Sequence, residues 1–178
     1  SDAETGISIM KIVENLDAGP IIKKIKIKID KSFTAEKISK NLAKISSESI
    51  IEILDNIFNK KSQFIEQNHK FATYAKKIKK NEAEINWNNS AKKILAKING
   101  LNPSPGAWFK YKEKRYKIWR ATTNEMKGFP GTILDKNFIV ACGDKSLEFI
   151  EIQKEGKNKL LLKNFLTGVK FKQGDMLK

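Results

Sequence analysis

One acidic residue and a short series of basic residues hold the chemistry this sequence offers. Asp17 lies within Asn15-Leu16-Asp17-Ala18-Gly19-Pro20. A carboxylate can orient and polarise a histidine for proton transfer. Asp before Ala-Gly-Pro is also an ordinary turn residue, since its side chain satisfies nearby backbone groups. Lys76, Lys77, Lys79 and Lys80 form a second group. Such lysines either contact phosphates, which positions a nucleic acid without reading its sequence, or form a solvated charge run. Arg115 and Arg120 stand among Trp108, Phe109, Tyr111, Tyr116 and Trp119. Aromatics beside cations can stack bases; in a small domain they also fill the core, where we assign Trp108 and Trp119. His69, Cys142, Met10 and Met176 show no metal-ligand spacing, so no metal is expected. Cys142 sits in an apolar strand and reads as an inert core residue.

The elements that must position these residues follow from periodicity. Residues 7–13 are apolar and short and read as a buried strand. Residues 15–20 combine Asn, Asp, Gly and Pro, which signals a loop. Ile25, Ile27 and Ile29 then alternate with Lys24, Lys26 and Lys28, the pattern of a half-buried strand. Thr34 can cap a helix, and apolar residues from Ile38 to Phe58 recur at three- and four-residue steps, giving one or two amphipathic helices. Residues 62–84 have weak periodicity and read as a surface linker anchored by Phe71, Tyr74 and Ile78. A further helix starts at Ser90 and stops at Asn99-Gly100. Beyond it, strand candidates at 107–111, 116–121, 131–134, 138–142, 147–153 and 160–162 suggest a small barrel.

The first third offers two strands and helical material, too little sheet for a self-contained α/β layer. These elements are therefore expected to complete a larger sheet and to leave apolar surface exposed. The formal net charge is +15, with 16 basic and 11 acidic residues in 1–82 against 19 and 9 in 83–178. A polyanionic partner accounts for this excess through counterion release. Coding bias accounts for it equally, because 33 of the 35 basic residues are lysine. No apolar run approaches the ~20 residues of a membrane helix, and the single cysteine allows no internal disulfide.

Several ordered stretches carry a family resemblance. They are Asp2-Ala3-Glu4-Thr5-Gly6-Ile7-Ser8-Ile9-Met10, Asn15 to Pro20, Ala72-Thr73-Tyr74-Ala75-Lys76-Lys77-Ile78, Ile85-Asn86-Trp87, Leu101-Asn102-Pro103-Ser104-Pro105-Gly106-Ala107-Trp108, Lys117-Ile118-Trp119-Arg120-Ala121, Pro130-Gly131-Thr132-Ile133 and Phe165-Leu166-Thr167-Gly168. In order and spacing the chain resembles the carboxy-terminal portion of the methionyl-tRNA formyltransferases. The resemblance implies an α/β fragment (the end of a Rossmann-like formyltransferase domain, 1–61), a linker (62–84) and an OB-like β-barrel (85–178). It implies formyl transfer from 10-formyltetrahydrofolate to the methionyl amino group of initiator tRNA. The family Asp lies in a Leu-Asp-x-Gly loop and carries over to Asp17. Lys76, Lys77, Lys79, Lys80, Arg115 and Arg120 are the expected tRNA contacts.

The family Asn and His and its Ser-Leu-Leu-Pro folate motif have no counterpart here, and His69 matches no catalytic position. The sequence opens at Ser1 rather than at Met. A fragment is therefore expected, inactive alone but able to contact tRNA; it is expected to be monomeric and cytoplasmic, with no membrane association. Two departures stand out: Asn15 replaces a frequent Gly, and Asn86 a frequent Asp. Formyltetrahydrofolate hydrolases and related formyltransferases share the Leu-Asp-x-Gly loop. A related folate enzyme, or a stand-alone RNA-binding module without catalysis, is the alternative.

Overall fold

The alternation of isoleucine and lysine builds the first sheet. β2 (Ile21–Lys28) pairs antiparallel with β1 (Glu4–Met10), placing Ile7 opposite Ile25 and Thr5 opposite Ile27. The isoleucines are half-buried and Lys24, Lys26 and Lys28 are exposed. The computed structural model describes residues 2–169 and 171–178. Within them the chain forms two units: Asp2–Phe33 with Lys37–Lys77, and Thr34–Glu36 with Ile78–Lys178.

In the first unit, the buried strand expected at 7–13 is corrected in two respects. β1 ends at Met10, where the register breaks and the chain turns into the 11–20 loop, and its residues are at most half-buried. Ile12 beyond it is 92% exposed. α1 (Ala35–Phe58) is one continuous helix and lies almost wholly in this unit. Only Ile53 of α1 is buried, while Ile51, Leu54 and Phe58 are exposed. The apolar surface that the sequence led us to expect is thus present. An exposed ion pair joins Lys23 of β2 to Glu52 of α1 at 3.1 Å, and such pairs contribute little. Ile65 exchanges two backbone hydrogen bonds of 2.8 Å with Ile21. Phe71, Tyr74 and Ile78 are not anchors: all three are exposed, and Phe71 ends a 3-10 turn at His69–Phe71.

In the second unit, a 3-10 turn at Lys80–Ala83 leads to α2 (Ala91–Gly100). Two side chains satisfy the start of α2. Ser90 Oγ accepts from Lys93 N at 3.2 Å, and Asp144 Oδ1 accepts from Ala91 N at 2.8 Å. Ile94 and Ile98, four residues apart, bury one face. There follow β3 (Ala107–Tyr111), β4 (Lys114–Asn124), β5 (Ile139–Ala141), β6 (Ser146–Lys154), β7 (Lys159–Leu161) and α3 (Leu162–Gly168). They form a five-stranded antiparallel sheet in the order β3-β4-β6-β5, with β7 also on β6.

The two edges of this curled sheet are joined through segments outside the named strands. Residues 131–134 bond to β5, with Gly131 N donating to Ala141 O at 2.9 Å and Leu134 N to Ile139 O at 2.7 Å. The C-terminal tail bonds to that segment, as Leu177 N donates to Gly131 O and Ile133 N to Asp175 O. Lys178 and Lys110 of β3 exchange both backbone bonds, at 2.6 and 2.9 Å. The strand expected at 131–134 is realised through these bridges rather than as a regular strand. Inside lies an aromatic core: Phe109 stacks on Tyr116 at 5.5 Å between centroids, Phe138 meets Phe149 at 5.0 Å, and Phe171 meets Phe138 at 4.2 Å. Each such ring removed from water contributes on the order of 1.5–3 kcal/mol.

Two outcomes are expected. Leu177 is 4% exposed, so Leu177→Ala should cost roughly 2–5 kcal/mol in urea unfolding followed by tryptophan fluorescence; a negligible loss would show that the tail does not dock. The backbone bond from Ala91 holds the Asp144 carboxyl below the ordinary aspartate range. Because its folded pKa is depressed, its contribution is complete above the unfolded value near ~4 and fades as pH falls through the folded value. The stability difference between the native chain and Asp144→Asn, read from urea midpoints, should therefore shrink on acidification below about pH 4.

Candidate functional site

The loop that carries Asp17 is held at both ends and from outside. Lys11 N donates to Pro20 O at 3.0 Å across its base. Gly19 is buried there because nothing larger fits: a Cβ would stand 1.8 Å from Lys11 O. Asp17 itself has φ 55°, left-handed backbone that Asp tolerates better than most residues. The Gln67 amide then reaches in from the irregular segment, donating to Asp17 O at 2.8 Å and Gly19 O at 2.7 Å. The Asp17 side chain is exposed and borders an open groove of about 1280 Å³, with His69, Lys23, Lys24, Leu16, Ile65 and Tyr74 among the lining. A carboxylate on a pinned loop at a groove wall can accept a proton or orient a cationic or imidazole group.

A second candidate surface lies on the outer face of β3, β4 and β6. Tyr116 and Ile118 point inward, so Arg115 and Lys117 point outward. The register then shifts between Ile118 and Arg120, which pairs with Glu151. This bulge brings Trp119 and Arg120 onto the same outer face. Arg115 lies over the Trp108 ring at 4.1 Å, and Lys117 over the Trp119 ring at 5.5 Å. Trp108 is buried as expected, but Trp119 is only half-buried. Its indole N–H donates to Gln153 Oε1 at 2.9 Å, and Asn102 Nδ2 donates to the Trp119 carbonyl at 2.8 Å. The Pro-rich loop packs on the ring through Gly106, with φ 82°, where a Cβ would stand 2.9 Å from the indole. In register, Lys110 faces Arg115 and Trp108 faces Lys117.

Lys76, Lys77, Lys79, Lys80 and Arg120 are exposed, and Arg115 is partly covered. Lys80 and Arg115 meet at one indole: Trp108 Nε1 donates to Lys80 O at 3.0 Å on one side, and the guanidinium covers the ring on another. Lys76 and Lys77 belong to the first unit. Sequence reasoning missed Gln67, which acts on the Asp17 loop 48 residues away, and Asp144, which acts on the start of α2 53 residues away; no local pattern marks either.

Other titrating groups have structural explanations. The Tyr111 hydroxyl donates to Asp175 and lowers that carboxyl, while contact with Tyr111 raises Lys112. Burial pushes the Cys142 thiol up to about 12, which keeps it unreactive. Among the described residues no three His, Cys, Asp or Glu gather as metal ligands, and no helix is long and apolar enough to cross a membrane.

A curled antiparallel sheet with helices of this arrangement is that of a formyltransferase. HypX from Aquifex aeolicus, solved with tetrahydrofolic acid, aligns at a TM-score of 0.71 and 20% identity, covering 99% of this chain and 34% of its own; that likeness is one of fold. The methionyl-tRNA formyltransferase from Clostridium thermocellum aligns at a TM-score of 0.56 and 27% identity, covering 68% of this chain and 52% of that one. The formyl transferase C-terminal domain family matches residues 77–170, and the formyl transferase family matches residues 1–54. The chain belongs to the formyl transferase family. A methionyl-tRNA formyltransferase of Pelagibacter ubique is 46% identical over 177 residues, covering 99% of this chain and 57% of that protein. The chain thus spans little more than half the length of the curated relatives it matches.

Proposed function

We propose that these residues belong to a methionyl-tRNA formyltransferase, which moves a formyl group from 10-formyltetrahydrofolate to the methionyl amino group of initiator tRNA in the cytoplasm. The observation that carries the proposal is the outer face of β4, where Arg115, Lys117 and Arg120 stand beside two tryptophans. That face suits a phosphate backbone, because cations set on aromatic rings keep their N–H groups outward. The 46% identity with a methionyl-tRNA formyltransferase supports the same reading.

In this reading Asp17 is the catalytic carboxylate, and it orients a proton-carrying group as the amine attacks the formyl carbon. The pinned loop supports that role, since Gln67 and Gly19 fix the backbone that presents it. Lys79, Lys80, Arg115 and Arg120 contact tRNA phosphates from the second unit, and Lys76 and Lys77 do so from the first. The donor is held mostly by parts of the protein beyond these residues, and the chain by itself binds tRNA without catalysing transfer. The sheet is of the OB-like barrel class, a proposal supported by the ring of backbone bonds through the C-terminal tail. The first unit is the end of a Rossmann-like domain, a proposal supported by its exposed apolar helix face.

The test is binding of the chain to initiator methionyl-tRNA and to an elongator tRNA across a salt series. Binding to both should weaken steeply with salt, with a log–log slope of about −3 or steeper for four or more phosphate contacts. No binding at low salt would overturn the tRNA assignment of these residues.

A further inference from the structure

Trp108 joins three separate segments of the second unit on its outer face. Its backbone receives Ile85 N at 2.7 Å, which ties the incoming chain to β3. Its indole N–H donates to Lys80 O at 3.0 Å, and its ring lies beneath the Arg115 guanidinium at 4.1 Å. The side chain is 6% exposed, so the N–H is committed to that one carbonyl in a dry setting.

The charges around it are arranged against their own stability. Lys110 stands directly opposite Arg115 in the sheet register, and like charges in that relation destabilise a sheet. Neither the Arg115 guanidinium nor the Lys80 ammonium has a carboxylate partner among the described residues. Neither cation is neutralised by a direct ion pair, and Lys80 meets the indole through its backbone carbonyl, which leaves its ammonium uncommitted. A guanidinium stacked on an indole loses little freedom when its edge meets a phosphate, and its planar fork matches two phosphate oxygens.

We infer that Trp108 is a positioning residue, which sets Lys80 and Arg115 around one indole as a paired site for an RNA phosphate. The inference rests on the tRNA reading above and adds a claim that reading does not contain. Lys80 and Arg115 act together, and the indole N–H is what couples Lys80 to the pair.

The experiment uses the 178-residue chain and initiator tRNA, with affinity measured at several salt concentrations. Trp108→Phe keeps an aromatic ring for Arg115 to stack on, but removes the N–H donor together with part of the indole's area. Lys80→Gln alone should weaken binding about fivefold and make the salt slope shallower by about one. Trp108→Phe alone should weaken it about threefold, and adding Lys80→Gln to it should cost less than twofold more. Arg115→Lys keeps the charge but loses the planar stack, and it should weaken binding as Trp108→Phe does; it also serves if Trp108→Phe fails to fold. Equal Lys80→Gln effects with and without the indole N–H, or a Trp108→Phe or Arg115→Lys chain that binds like the native one, would overturn the inference while leaving the tRNA reading intact. Absence of salt-sensitive binding by the native chain would instead overturn that reading and this inference with it.

Discussion

The C-terminal tail holds the curled sheet shut, and the rest of the second unit depends on that closure. Lys178 occupies the free edge of β3 through its paired bonds with Lys110, while Leu177 and Asp175 bond to residues 131 and 133. Without the tail, β3 and the 131–134 segment would both present unpaired N–H and C=O groups to water. Closure also defines an inside. Phe109, Tyr116, Phe138, Phe149 and Phe171 meet there edge to face or offset, arrangements that add to the gain from area burial alone.

A defined inside fixes an outside by the two-residue period of strands. Once Tyr116 and Ile118 are committed to the core, Arg115 and Lys117 must project outward. The bulge after Ile118 changes the count by one, which is why Trp119 and Arg120 end on the same face. The basic and aromatic character of that face is therefore a consequence of the core pattern together with one irregularity. The first unit works differently. It buries Ile21 and Ile53 but leaves most of its apolar residues exposed, and its most constrained feature is the Asp17 loop.

Much of this was legible in the sequence for a physical reason in each case. The Ile–Lys alternation at 24–29 could only be a half-buried strand. Ser90 and Gly100 bracket a helix: the Ser90 hydroxyl caps its start, and the weak helix former Gly100 is its last residue. The Asp17 loop was visible from Asn, Asp, Gly and Pro in succession. What was not legible depends on contacts distant in sequence. Residues 7–13 are apolar enough for a buried strand, but burial is decided by what lies across from them. Trp119 was assigned to the core from its type, but it follows inward-facing Ile118 and so faces outward; the bulge that adds Arg120 to that face is a register event that composition does not encode. Gln67 and Trp108 act through hydrogen bonds to remote carbonyls, two from the Gln67 amide and one from the Trp108 indole, and a glutamine or tryptophan so placed looks like any other.

The central claim is that the outer face of β3, β4 and β6 is the surface that meets RNA. Amide hydrogen exchange of the chain with and without initiator tRNA, resolved to single peptides, tests it most directly. The account predicts slowed exchange across residues 79–85 and 107–120 on tRNA binding, with β5 and α3 unchanged. Slowing confined to β5, α3 or the first unit, with 107–120 unaffected, would contradict it.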